Sequence, residues 1–178
     1  MNSLMIAFII LICTLGIAVY GYFRVSSFNR LMESAWNNID VLLRYRMDVV
    51  KSIAGVAAAY VNDNEALAAA LKEIQKNEIA AYNIAQRCQE EEAFTKALSK
   101  FFAVAGNTTD LKSNENFLMY KKSLYKAEKK IAASADYYNT NAKMFNSIIS
   151  TIPVNLVAKM FDFDAKPAFN FNNTEMVK

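Results

Sequence analysis

"FLMYKKSLYKAEKKIAASADYYNTNAKMFNSIISTI", Phe117 to Ile152, decides the fold. Phe117, Tyr120, Leu124, Ala127, Ile131, Ser134, Tyr138, Asn141, Phe145, Ile148 and Ile152 recur in alternating steps of three and four. That spacing holds one stripe of a helix against a neighbour, as in bundles and coiled coils; a half-buried strand would alternate every second residue. Neither Gly nor Pro interrupts the stretch, and Pro153 follows it, where it ends the helix or opens a short new one at its first turn. Only Ser134 and Asn141 are polar on the stripe, and they are expected to fix register at some cost in stability.

Two further stripes lie upstream. The first runs Phe28, Met32, Ala35, Ile39, Leu42, Arg46, Val49, Ile53, Val56, Tyr60, and Trp36, Leu43 and Val50 widen it enough for more than one neighbour. The second runs Leu67, Leu71, Ile74, Glu78, Ala81, Ala85, Cys88 and resumes at Phe94, Leu98, Phe101 and Phe102. Asn62-Asp63-Asn64-Glu65 supplies its capping residues. Gln89-Glu90-Glu91-Glu92 is its expected weak point, and Gly106 stands where a helix end favours a left-handed residue.

Before these stripes, Leu4 to Phe23 reads LMIAFIILICTLGIAVYGYF, twenty residues without a charge. At helical rise it covers about 30 Å, the thickness of a bilayer core, with Leu4, Phe8, Leu11, Leu15, Val19 and Phe23 as its membrane-facing ladder. Tyr20, Tyr22 and Phe23 suit the headgroup region and Arg24 closes the run. A cleaved signal peptide fits less well, since there is no basic leader and no small-residue cleavage site. Arg24 and Arg30 follow the span while no base precedes it, so the bulk of the chain is expected on the cytoplasmic side. Nothing compels a break between the span and the first stripe, although Ser26-Ser27 offers a joint.

Composition narrows the chemistry. Among 178 residues there are four Gly, two Pro and no His, so long helices are favoured and the commonest general base and metal ligand is missing. Cys13 and Cys88 do not make a disulfide framework, and a net charge of +3 does not argue for nucleic acid. Glu90, Glu91 and Glu92 point in different directions around a helix, which favours a solvated face over a cation site. Cys88 beside them is disfavoured as a thiolate. Lys121, Lys122, Lys126, Lys129 and Lys130 are read first as a solvated bundle face, with an acidic helix or anionic lipid as rivals. No cofactor, metal or catalytic residue is expected.

The densest polar cluster, Asp110 to Asn116, has a plain explanation. Gly106 to Lys112 reads as a connection, Ser113 or Asn114 caps the helix that follows, Glu115 favours its positive end, and Asn116 precedes the first core residue, Phe117. Arg46 is different, because a charge on an apolar stripe must be paired or snorkel. Asp40 and Asp48 do not share its face, so its partner is expected on another helix, Glu115 or Glu128, or on another subunit. The tail carries Phe161, Phe163, Phe169 and Phe171, which either pack back on the bundle or dock on a partner or the bilayer surface.

Taken together, the N-terminal span, Phe28 to Val50 and Leu111 to Phe163 resemble the LemA family of bacterial proteins. Asn29, Ala35, Trp36, Ile39, Asp40, Leu43, Arg46 and Asp48 look like the family's first-helix motif. Leu111, Asn114, Glu115, Asn116, Phe117, Glu128, Ile131, Tyr138, Asn139, Pro153, Asn155, Leu156 and Phe161 match in type and spacing. The chain departs from the pattern at Lys51, near a usual Pro, and at Asp162, where a Gly is usual. The resemblance implies an antiparallel helical bundle on a membrane anchor with no established catalytic residues; relatives are linked to remodelling of internal membranes or to neighbouring membrane proteases.

The expectation is therefore an all-α, single-pass protein of the bacterial inner membrane. It has an anchor over 1–24, an elongated antiparallel bundle of three to four helices over 25–163 and an aromatic tail over 164–178. It is expected to be no enzyme but a scaffold that self-associates through its patterned helices on the lipid bilayer. An adaptor for a membrane protein, using Trp36, Arg46 or the tail rings, is the alternative.

Overall fold

An asparagine starts a helix at two of the chain's corners. Asn64 Oδ1 accepts the Leu67 N–H at 3.0 Å, and Asn114 Oδ1 accepts the Phe117 N–H at 3.0 Å. Each carbonyl thereby satisfies a first-turn donor that no backbone group can reach. Each amide nitrogen also reaches outward, Asn64 Nδ2 donating to Thr108 Oγ1 and Asn114 Nδ2 to the Tyr60 hydroxyl, both at 3.1 Å. One side chain so caps a helix and fastens it to another segment.

The computed structural model describes residues 2–61, 64–76 and 84–171. They form α1 (Asn2–Ala58), α2 (Glu65–Lys76), α3 (Ile84–Ala105), α4 (Thr109–Lys112), α5 (Glu115–Ser150) and α6 (Val154–Met160), with no strand among the described residues. The all-α expectation holds, and the short helix after Pro153 is α6. Asn62, Asp63, Glu78, Ala81 and the Leu4 side chain lie outside the described set. α1 passes through Ser26-Ser27 and Lys51 without interruption.

The helices sort into two compact units. One takes Met1–Asn37 and Tyr137–Ala168, the other Asn38–Asp136 and Phe169–Lys178. In the second unit α1, α2, α3, α4 and α5 share a core that includes Val50, Ile53, Leu67, Phe94, Leu98, Phe101, Leu111 and Leu124. Here Tyr60 meets Asn114 and Arg46 meets Glu128. The step back along α1 equals the step forward along α5, as an antiparallel pair without slippage requires. In the first unit, Trp36 packs on Tyr138 with ring centroids 5.9 Å apart, and the α6 residue Val157 lies against Gly21 of α1.

Four local expectations are corrected. On α5 the buried positions after Ile131 are Ala135, Tyr138, Ala142 and Phe145, while Ser134 and Asn141 sit half-buried beside them. The three-four rhythm is kept in the other phase, which places small side chains inside and lets the polar ones reach water. On α3 the buried face runs Arg87, Glu91, Phe94, Leu98, Phe101, whereas Ala85 is exposed. No weak point appears at Gln89–Glu92, and Glu91 belongs to the interior instead of a solvated face.

The fourth correction concerns Gly106: no glycine among the described residues has a positive φ. Its N–H still bonds to the Phe102 carbonyl, and α3 unwinds through the tighter bonds of Asn107 to Val104 and Thr108 to Ala105. Among the described residues the left-handed one is Asp162, with φ 52°. It follows α6, where the Phe163 N–H reaches back to the Ala158 carbonyl at 2.9 Å, the long bond of a Schellman ending. A glycine suits that backbone better than an aspartate, which gives the departure at Asp162 a physical meaning.

Candidate functional site

The interior of the second unit holds a cluster of charges. Arg46 of α1 is 1% exposed, and its guanidinium meets three side chains from two other helices. Nη1 donates to Glu91 Oε2 at 2.9 Å; Nη2 donates to Glu128 Oε1 at 3.2 Å and to Thr95 Oγ1 at 3.1 Å. The rings of Phe94 and Phe171 stand 5.0 and 5.2 Å from its Cζ, close enough for cation–π attraction where water is excluded.

A second arginine extends the cluster. Arg87, one turn before Glu91 on α3, brings its Nε within 3.3 Å of Glu91 Oε1, an ion pair whose geometry is too poor for a hydrogen bond. Its Nη2 lies 3.7 Å from Asp40 Oδ1, and the other Asp40 oxygen accepts from Arg44 Nε at 2.7 Å. Arg44, Arg46 and Arg87 thus balance Asp40, Glu91 and Glu128 in charge. Burial pushes the Glu91 carboxyl above the usual range in spite of Arg46 and Arg87, and pushes Glu128 up in spite of Arg46. Arg46 Nε and Glu91 Oε1 are left without a hydrogen-bond partner.

These groups hold one another. A recess of about 370 Å³ does lie between α1 and α2, against Met47, Val50, Ala54 and Ile74, but Lys51 and Gln75 are its chief polar neighbours. Among the described residues no three of His, Cys, Asp and Glu are placed to share a metal ion. Burial raises the Cys88 thiol above its usual range, which disfavours the thiolate. The cluster is a polar lock joining α1, α3 and α5.

Of the residues singled out from sequence, Arg46 does meet Glu128 on another helix, while Glu115 stays exposed in the first turn of α5. Asp40 and Asp48 do not reach Arg46; Asp40 pairs with Arg44 and Arg87. Asn114 caps α5, exposed Ser113 instead bonds to the Thr109 and Asp110 carbonyls at the end of α4, and Asn116 is exposed. Trp36 is half-buried on Tyr138. Phe8, Leu11, Leu15, Val19 and Phe23 are exposed along the apolar part of α1.

The tail folds back. Asn146 holds both backbone groups of Lys166, and the Tyr138 hydroxyl donates to the Pro167 carbonyl. Phe161 and Phe163 lie 4.6 and 6.2 Å from the Tyr22 ring, Phe169 is fully buried, and Phe171 stacks on it and faces Arg46. Sequence reasoning missed Glu91, Arg87 and Thr95. The signal was present: stepping back from Phe101, Leu98 and Phe94 at helical period lands on Glu91 and Arg87, not on Cys88.

The model of the LemA family matches residues 35–178, most of the chain. The chain belongs to the LemA family. No curated protein matches this LemA-family sequence. The match begins within α1 and takes in the whole lock, from Asp40 to Phe171, while the whole of the apolar run precedes it. The LemA-family portion thus includes all the residues that close around Arg46. Among the described residues one helix, the N-terminal α1, is long and apolar enough to cross a membrane.

Proposed function

We propose that this LemA-family protein is a membrane-tethered helical scaffold that self-associates and so organises or remodels membrane-associated structure. The observation that carries this is the apolar surplus on helix faces outside the span. In the second unit Val41 is 63% exposed, and Tyr45, one turn on, is exposed too, as are Leu118, Met119 and Tyr125 of α5. Large apolar side chains repeated along a helix face are suited to a neighbouring copy of the same chain. Bilayer and further copies are the partners in this proposal, and catalysis has no part in it, since the buried charges are spent on one another.

The test is light scattering on the full chain in mild detergent. A discrete assembly that Val41→Glu with Tyr45→Glu dissociates is the expected result, and a monomer at every concentration overturns the proposal. The adaptor alternative has less support, because Phe169 is buried and Phe171 faces Arg46, leaving few tail rings to present. We further infer an inner-membrane location with the bundle in the cytoplasm, on the strength of Arg24 and Arg30 after the span. A reporter fused after the tail and active only in the cytoplasm tests that orientation.

A further inference from the structure

The apolar run of α1 ends where α6 is packed. Val157 Cγ2 lies 3.5 Å from the place a Cβ would take on Gly21, with Val154 near as well, so α6 packs directly against the α1 backbone at this position. Next along, the Tyr22 ring meets Phe161 and Phe163. Gly21 and Tyr22 occupy the last turn of the uncharged stretch that closes at Phe23. Where α1 crosses a bilayer, a helix resting on that turn is held at the depth where acyl chains give way to headgroups.

One side of α6 is apolar and uncovered. Val157 and Ala158 face inward, yet Ile152 is 79% exposed, Leu156 61% and Met160 76%. Leu156 and Met160 stand four residues apart on α6, so they share a side, and Asn155 and Lys159 supply the polar edge, while Ile152 lies in the turn before the helix. Tyr20 and Phe23 are likewise exposed on the adjoining turns of α1. Aromatic rings and an amphipathic helix carrying a lysine are what the boundary between lipid and water accommodates.

We propose that α6 lies in the bilayer interface, with Leu156 and Met160 set among the upper acyl chains beside the end of the α1 span. This rests on α1 crossing the bilayer. The occupant is lipid and not a second chain because Val157 and Phe161 hold α6 against Gly21 and Tyr22, in the last turn of the uncharged run. The protein then grips the membrane twice, once across it and once along it, and α6 fixes the rotation of the span about its own axis.

The test places the full chain in phosphatidylcholine vesicles carrying bromine at a shallow or a deep acyl position. In a Trp36→Phe background, Leu156→Trp and Met160→Trp are each compared with Leu15→Trp in the span and Lys130→Trp on α5. Expected are a blue-shifted emission at 156 and 160 and a greater loss with shallow than with deep bromines. Leu15→Trp should be quenched by deep bromines and Lys130→Trp by neither. If Leu15→Trp escapes quenching, the span itself fails and the proposal with it. If Leu15→Trp is quenched while 156 and 160 are open to aqueous acrylamide, or shielded from both quenchers, α6 is in water or under protein and the proposal alone is overturned. A nitroxide on Leu156→Cys, with Cys13 and Cys88 replaced by Ala and Trp36 kept, gives a second readout: oxygen must reach it better than a nickel chelate.

Discussion

Arg46 and Glu128 face each other across 3.2 Å in the interior, one from α1 and one from α5, and both are almost wholly withdrawn from water. A pair so placed adds little net stability, because desolvation offsets most of the attraction, but breaking it is costly. Arg46→Ala strands two buried carboxylates and is expected to cost about 3–5 kcal/mol. Replacing Arg46, Glu91 and Glu128 together by Leu or Met should recover most of the loss. Urea unfolding of the full chain in detergent measures both, and a single variant as stable as the parent would contradict the lock.

Acidity should act on the same groups with a defined sign. Burial raises the carboxyls of Glu91 and Glu128 in the fold, so folding favours their protonated form. Their contribution to stability is complete below the carboxyl range of an unfolded chain, near about 4.3, and declines as pH rises through the higher folded values. Glu92, lowered by its surface pair with Lys96, works in the opposite direction, but in full solvent that pair is screened. Thermal unfolding from mild acid to neutrality should show the parent losing ground to Glu128→Gln as pH rises; parallel curves would contradict this.

The left-handed backbone at Asp162 predicts a stabilising change. Asp162→Gly removes the Cβ penalty at φ 52° and should raise stability by about 0.5–1 kcal/mol, while Asp162→Val should lower it. Gly106→Asn is no counterpart, because Gly106 has no left-handed conformation to rescue. Unfolding midpoints of the three variants decide the point.

Asn114 separates capping from fastening. Asn114→Asp keeps the oxygen that accepts the Phe117 N–H but loses the donor to the Tyr60 hydroxyl, whereas Asn114→Ala loses both. The alanine variant should lose about 1 kcal/mol for the cap alone and more for the tie, and the aspartate variant should fall between it and the parent. Amide exchange at Phe117 should quicken in Asn114→Ala and not in Asn114→Asp.

The helices were legible because the spacing of Phe117, Leu124, Ile131 and Phe145 admits no other regular structure. Which of two adjacent positions is buried was less so: Ser134 and Ala135 both continue the rhythm, and the choice depends on how closely neighbouring helices approach. Arg46 announced itself as a charge on an apolar stripe. Glu91 did not, because among Glu90, Glu91 and Glu92 only tertiary packing selects the one that turns inward. Phe171 lay further out of reach, since a ring in an irregular tail has no period to betray its contacts.

The ring of Phe171 beside Arg46, and Phe169 buried beneath it, carry a consequence for biosynthesis. Both are translated after every helix that surrounds the arginine. In a nascent chain the two rings that complete the surroundings of the arginine are therefore the last of its contacts to be made.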